Sequence, residues 1–306
     1  MSEANYQCSD VVSFYNSSTR NTNDSINKKR EDMICDLINN KVNEGYFKDD
    51  TYGRKWRRTK KNIIKFFEDI YGEFKKIKCT KKAGRNYNYD FDIDITKLDN
   101  TVNKYKFEFK YGTTSIELQP QFVSLGNISN YFDINFIQYY YNNHLEKVCK
   151  LYEKEKPSFD EYKKDVCSTT PKCLEVIQRL YYNGCPKSSK YNVTGIYKSK
   201  TINCKEISKE AIKDYLNNSK IRIDVLNKKL HDTQNEKCYM LCKDGEFYFQ
   251  QLDKKSYTIK TGIKPKVVND NSLDLITENN SIIRVLLRWK NGNGIAFPAL
   301  QIKNII

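Results

Sequence analysis

Apolar residues recur at helical spacing in a segment that is otherwise strongly basic. Between Lys60 and Phe74, the side chains of Ile63, Phe67 and Ile70 fall on one face of a helix, and charged residues occupy the opposite face. The pattern predicts an amphipathic helix that lies on a hydrophobic core.

After this helix the period changes from 3.6 to two. The run 89–95 alternates apolar with acidic residues, and 105–111 alternates aromatic with charged residues. Turn-forming residues at 98–101 lie between the two runs, so we predict an antiparallel hairpin. Centring the hairpin near residue 100 places Asp92 opposite Glu108.

The remaining chain predicts further helices and then strands. Helical spacing is found at 25–42, 121–154, 173–182 and 208–216, a short strand is predicted at 222–225, and strand-like runs continue from Cys238 onward. We expect an α/β fold with a central mixed sheet flanked by helices. Four segments are predicted: an arm and helix (1–53), a core (54–155), a helical insertion or subdomain (156–236) and a β-rich region completing the core (237–306).

Composition narrows the class of protein. The 306 residues are 39% hydrophobic, 13% aromatic and 30% charged, which is typical of a globular protein rather than a disordered one. No apolar run reaches membrane-spanning length, and the amino end lacks a secretory pattern. We therefore expect no membrane partner and an intracellular, reducing location. The formal net charge of +15 favours a polyanionic partner, above all nucleic acid.

The positive charge is concentrated in the segment 54–85, which holds thirteen basic and three acidic residues. We predict that this segment contacts phosphates. The alternatives are a solvated helix face and a lysine surplus caused by A/T-rich codons. The candidate nucleic-acid contacts are Arg54, Lys55, Arg57, Arg58, Lys60, Lys61, Lys81, Lys82 and Arg85, together with Arg288 and Lys290 near the carboxyl end.

The hairpin carries the candidate chemistry. Asp90, Asp92 and Asp94 share one face of its first strand, and Glu108 and Lys110 share a face of the second. Buried carboxylates need compensation, and a divalent cation beside an ammonium group supplies it. The same combination suits phosphodiester hydrolysis, in which a cation neutralises the phosphate and a lysine orients the attacking water.

The order of an acidic residue, a hairpin and then Glu108-Phe109-Lys110 resembles the PD-(D/E)xK nuclease superfamily, as do the helix and short strand that precede it. Similarity to nuclease-like proteins of large DNA viruses extends to 118–125 and 287–302. The resemblance implies a restriction-endonuclease-like core and a metal-dependent DNA endonuclease that uses Mg²⁺ or Mn²⁺. The chain departs from the family in lacking a proline before the aspartate.

The resemblance also implies roles for individual residues. Asp92 and Glu108 would ligate the metal, with Asp94 as a further ligand, and Lys110 would position the water. The three aspartates fit registers that differ by two residues, so Asp90 and Asp94 stay alternatives to Asp92 as the hairpin ligand. Glu68 matches the acidic residue that the family often carries on the helix before the hairpin. Gln121 matches a glutamine that often follows the hairpin near the metal.

The sequence is compatible with several alternatives. The three aspartates could pair with Lys106 and Lys110 on an exposed hairpin. The fold could bind nucleic acid without cutting it, could cut RNA, or could serve a structural role, and a homodimer is plausible. The 10 cysteines are scattered without a Cys-x-x-Cys pair, which favours idle thiols over zinc ligands.

Overall fold

A computed structural model describes residues 6–17, 19, 22–82, 87–118, 122–151, 153–166, 196–288 and 299–305. The chain forms two compact units, each built from separate stretches of sequence. The first unit comprises 1–119 and 232–253, and the second comprises 120–231 and 254–306. The four segments predicted from the sequence are grouped differently here, since 54–155 contributes to both units.

The first unit contains helices on a five-stranded mixed sheet. Its helices are a 3₁₀-helix at Cys8–Phe14, α1 (Asn23–Ile38), α2 (Glu44–Lys48), α3 (Gly53–Tyr71) and a 3₁₀-turn at Ile116–Leu118. Its strands are β1 (Lys76–Lys81), β2 (Phe91–Thr96), β3 (Val102–Tyr111), β5 (Lys237–Lys243) and β6 (Glu246–Gln251). The strand order is β1-β2-β3-β5-β6, and only β3 and β5 run parallel.

The helix α3 forms where the amphipathic pattern predicts it and begins several residues earlier. The Asp49 carboxylate accepts the backbone N–H groups of Thr51 and Tyr52 just before the first turn, at 3.0 and 2.7 Å. At the other end Gly72 has a φ of 74°, a left-handed conformation that glycine adopts without strain. The apolar face of α3 is buried while its basic face stays exposed.

One face of the sheet forms the core of the first unit. Phe107 lies against Phe66 and Phe67 of α3, with ring centroids 6.0 and 5.5 Å apart. The apolar residues of α1 belong to the same buried cluster. Side chains alternate along a strand. The polar residues that alternate with the buried apolar residues of β2 and β3 therefore point to the other face of the sheet.

The second unit has its own five-stranded sheet, which is antiparallel in the order β4-β10-β9-β8-β7. Its strands are β4 (Phe122–Asn127), β7 (Lys266–Asn269), β8 (Ser272–Ile276), β9 (Ile282–Arg288) and β10 (Ala299–Ile305). Within the described residues the remaining α-helices are α4 (Phe136–Asn143), α5 (Leu145–Leu151), α6 (Phe159–Glu161), α7 (Ile196–Asn218) and α8 (Ile223–Gln234), and α8 ends in the first unit. Short 3₁₀- or π-turns occupy Ile128–Asn130, Tyr162–Val166 and Lys254–Ser256.

The structure confirms a mixed α/β fold with a five-stranded mixed sheet and corrects two local predictions. The start of the predicted helix 121–154 is strand β4, because this segment pairs with β10. The strand predicted at 222–225 is the beginning of α8. The helix predicted at 173–182 lies outside the described residues. No helix in the described part of the chain has the length and apolar character needed to cross a membrane.

Candidate functional site

The pairing of β2 with β3 decides which aspartate lies beside Glu108. In the observed register Asp92 pairs with Lys106, so the prediction that Asp92 lies opposite Glu108 is wrong. Continuing the register by one pair brings Asp90 to Glu108. Asp90 N donates to Phe107 O at 2.8 Å, and Phe109 N donates to Asp90 Oδ2 at 2.8 Å.

The turn between β2 and β3 explains why the register differs from the prediction by two residues. Thr96 pairs with Val102, and Lys97 N donates to Thr101 O at 2.8 Å, so the hairpin is centred at residue 99 rather than 100. Asn100 takes a positive φ of 70°, which asparagine tolerates better than most residues. Because the aspartates are two residues apart, they lie on the same face of the sheet. The change of register therefore alters only which aspartate lies beside Glu108.

Glu108 is held between two lysines. Lys237, at the start of β5, donates from Nζ to Glu108 Oε2 at 2.5 Å, and Lys110 Nζ forms an ion pair with Glu108 Oε1. Lys237 also donates to Asn88 O at 3.2 Å, and its side chain is only 3% exposed. Burial lowers the pKa of Lys237, while the charge of Glu108 opposes that shift.

Sequence analysis missed Lys237. It reaches Glu108 because β5 lies parallel to β3, with Lys106 paired to Lys237 and Glu108 paired to Tyr239. The two residues are 129 positions apart, and a parallel neighbour leaves no turn signal in the sequence. The only local signal is a lysine directly before a strand-like apolar run.

Two further carboxyl groups have perturbed acidity near this site. Burial raises the pKa of Asp90, the Phe109 backbone N–H lowers it, and the negative charge of Glu108 raises it again. Burial raises the pKa of Glu31, on α1, to about 7, and the charge of Asp90 adds to this shift while Lys81 opposes it. Glu31 was not predicted, because nothing in α1 alone points to the end of β2.

The other predicted metal ligands lie elsewhere. Asp92 forms an ion pair with Lys82 at 2.8 Å, and Asp94 pairs in register with Lys78 and Lys104. Glu68 is exposed on α3, a helix that packs on the face of the sheet opposite to Glu108. Gln121 lies outside the described residues. The hairpin therefore brings together Glu108 and Lys110 but not Asp92, Asp94 or Glu68.

Asp90 and Glu108 are the carboxylates of this group that could hold a hard divalent cation. Magnesium is commonly held by one or two carboxylates and keeps several waters. In the described part of the chain no group of three or more His, Cys, Asp or Glu side chains is arranged to hold a metal. The ammonium groups of Lys110 and Lys237 would compete with a cation for Glu108.

Many of the predicted nucleic-acid contacts have partners within the protein. Arg58 forms an ion pair with Glu246 at 2.6 Å, Lys60 lies 5.2 Å from the Phe47 ring centroid, and Lys81 pairs with Asp32 at 2.7 Å. Arg57 donates to the Phe47 carbonyl and Lys82 pairs with Asp92, as above. Arg54 and Lys61 are exposed on α3, and Lys55 is half-buried. Arg85 and Lys290 lie outside the described residues, while Arg288 ends β9 in the second unit.

A groove of about 740 Å³ opens in the first unit beside β1, the edge strand of its sheet. Residues of α1, α3 and β1 line it, together with the turns that follow α1 and precede β1. No carboxylate is among the lining residues, whereas six lysines are: Lys41, Lys60, Lys75, Lys76, Lys78 and Lys81. Such a surface attracts polyanions.

Comparisons of the chain with protein-family models, with curated proteins and with solved structures found no match.

Proposed function

We propose that the protein binds nucleic acid and hydrolyses its phosphodiester bonds in a metal-dependent reaction, with DNA as the first substrate to test. The observation that carries the proposal is the group formed by Asp90, Glu108 and Lys110 at one place on the mixed sheet. The restriction-endonuclease-like core is part of the proposal. It rests on the resemblance of Glu108-Phe109-Lys110 and on the helix and strand that precede the hairpin.

Each residue of this group would have a distinct role in the reaction. Asp90 and Glu108 would hold Mg²⁺ or Mn²⁺, which would neutralise the scissile phosphate and acidify a bound water. Lys110 lies on the same strand face as Glu108 and would orient the attacking water by hydrogen bonding. Lys237 neutralises Glu108 and fixes its side chain. The six lysines of the groove would attract the phosphate backbone without reading its sequence.

Cleavage of supercoiled plasmid tests the proposal, with Mg²⁺, Mn²⁺ or EDTA and with variants of single carboxylates. We expect Asp90→Asn and Glu108→Gln each to reduce cleavage by at least about a hundredfold, as loss of a charge-stabilising group does. Asp94→Asn is the matched control because Asp94 lies further along the same strand face, and it should keep activity within about twofold.

The same experiment distinguishes the observed register, which places Asp90 beside Glu108, from the register that would place Asp92 there. If Asp92→Asn abolishes cleavage and Asp90→Asn does not, the assignment of Asp90 is wrong. Cleavage that persists in EDTA or in Glu108→Gln would overturn the proposed chemistry. RNA is tested in parallel, since the same site can cut either polymer.

One observation favours a second candidate, a nucleic-acid-binding protein of the same fold that does not cut. Both carboxylate oxygens of Glu108 are engaged by ammonium groups, and no third carboxylate completes the pair in the described residues. This candidate predicts binding with a steep salt dependence and no cleavage with any metal.

A further inference from the structure

The basic groove beside β1 contains two cysteines as well as lysines. Cys35 comes from the fourth turn of α1 and Cys79 from the middle of β1, and both line the groove. Cys35 is half-buried, whereas Cys79 is only 3% exposed. Both are free thiols. The pair thus combines one partly exposed cysteine with one buried cysteine.

Direct contacts join Cys35 to the strand. Its Sγ donates to Cys79 O at 3.4 Å, and Asn39 Nδ2 donates to the same sulfur at 3.4 Å. Asn39 also holds the backbone of Cys79 from both sides, since it accepts from Cys79 N at 3.0 Å and donates to Cys79 O at 2.8 Å. The helix and the edge strand are therefore joined by hydrogen bonds at Cys35, Asn39 and Cys79.

The surroundings of Cys35 favour its thiolate. The side chain of Cys79, the backbone of Lys81 and the positive charge of Lys41 lower the pKa of Cys35 to about 7, against the opposing effect of burial and of Asp36. The contact with Cys35 and burial raise the pKa of Cys79. Reactive cysteines occupy electropositive, partly exposed sites of this kind, and their thiolate is the nucleophile.

We propose that Cys35 is a peroxide-reactive modification site in the basic groove, with Cys79 as the thiol that resolves the oxidised sulfur into a disulfide. The proposal is independent of the proposed nuclease activity. It rests on the shared groove, the contact between the two residues and the lysines around them.

The reaction balances in two steps. The Cys35 thiolate attacks one oxygen of hydrogen peroxide, the O–O bond breaks, and hydroxide leaves and takes a proton from solvent. The sulfur is oxidised to sulfenic acid and the peroxide is reduced to water. The Cys79 sulfur then attacks the Cys35 sulfur, the S–O bond breaks, and water leaves with the Cys79 proton as the S–S bond forms.

Cys8 provides a control within the same unit. It is also half-buried, but burial raises its pKa, and it does not line the lysine groove. If exposure alone governed reactivity, Cys8 and Cys35 would react at similar rates. The proposal predicts that they do not.

The first test measures alkylation of the full-length reduced protein by iodoacetamide at pH 7, followed by peptide mass spectrometry. We expect Cys35 to react at least about tenfold faster than Cys8, because the thiolate is the reacting form. Equal rates at the two sites would overturn the proposal. This measurement uses the wild-type chain and does not depend on the folding of any variant.

The second test treats the protein with hydrogen peroxide and digests it with trypsin without reduction. Cleavage after Arg30, Lys41, Lys78 and Lys81 gives the peptides 31–41 and 79–81, which we expect to be joined by a disulfide. In Cys79→Ser, dimedone should instead label the sulfenic acid of Cys35, and Cys35→Ser should abolish both products. Absence of the linked peptide together with absence of dimedone labelling would refute the assignment.

Discussion

Replacing Lys237 with methionine tests whether this buried lysine neutralises Glu108. Methionine keeps the length of the side chain and removes its charge, so the Glu108 carboxylate loses one of its two ammonium partners. Lys106→Met is the matched control. Lys106 is the neighbour of Lys237 across β3 and β5, but it is exposed.

The expected loss in the free energy of unfolding can be estimated from the distance between Lys237 and Glu108. At the 2.5 Å separation of Lys237 Nζ and Glu108 Oε2, an effective dielectric constant near 20 gives an attraction of about 7 kcal/mol before desolvation. Desolvation of the two ions offsets several kcal/mol of this attraction, and removing one partner of a buried pair costs about 3–5 kcal/mol. Because Lys110 remains beside Glu108, we expect Lys237→Met to lower the free energy of unfolding by about 3 kcal/mol. Lys106→Met should change it by less than about 0.5 kcal/mol.

Urea denaturation followed by tryptophan fluorescence provides the measurement. The chain has two tryptophans, so a Trp289→Phe background leaves Trp56, which is fully buried in the first unit, as the only reporter. The double variant Glu108→Gln/Lys237→Met should be more stable than the sum of the single losses predicts, by at least about 1 kcal/mol. A Lys237→Met protein as stable as the control, or strictly additive losses, would refute the reasoning.

Three further predictions concern the first unit and use the same denaturation assay or a binding titration. Arg30 is fully buried and donates to Ser13 O and Asn16 O, so Arg30→Lys should cost about 2 kcal/mol because lysine cannot reproduce this fork; an unchanged urea midpoint would contradict it. The folded-state pKa of Glu31 is raised from 4.5 to about 7, so the carboxyl group destabilises the fold increasingly as the pH rises through that window. Glu31→Gln should therefore be more stable than wild type at pH 8 and lose its advantage toward pH 4.5, and a pH-independent difference would argue against burial as the cause. For nucleic acid, Lys41→Glu/Lys76→Glu should reduce the slope of log affinity against log salt by about two, whereas Lys243→Glu, exposed at the end of β5, should leave it unchanged.

Local hydrophobic patterns are enough to predict a helix or strand that buries one apolar face against the core. The stripe of Ile63 and Phe67 predicts α3 because a helix that covers a core must place its apolar side chains 3–4 residues apart, and both are fully buried. Alternation at 89–95 and 105–111 predicts β2 and β3 for the same reason, with a period of two. Where the partner is distant in sequence, the pattern is ambiguous: Phe122–Asn127 pairs with a strand almost 180 residues later, and its short apolar run fits helix and strand alike.

At the candidate site, one feature of the sequence determines the sheet face on which a side chain lies, and another determines its cross-strand partner. Alternation places Asp90, Asp92, Glu108 and Lys110 on one face whatever the register, because moving a strand by two residues restores the same face. The turn at 97–101 selects among the aspartates, and its geometry depends on Asn100 adopting a positive φ and on one backbone hydrogen bond, neither of which hydrophobic periodicity encodes. Lys237 lies on a strand that pairs parallel with β3 and follows residues 120–231 of the second unit, so no local rule brings it to Glu108. The charge balance at Glu108, and with it the choice between a metal ligand and a buried ion pair, is therefore set by tertiary pairing rather than by the Glu-x-Lys pattern that first indicates the site.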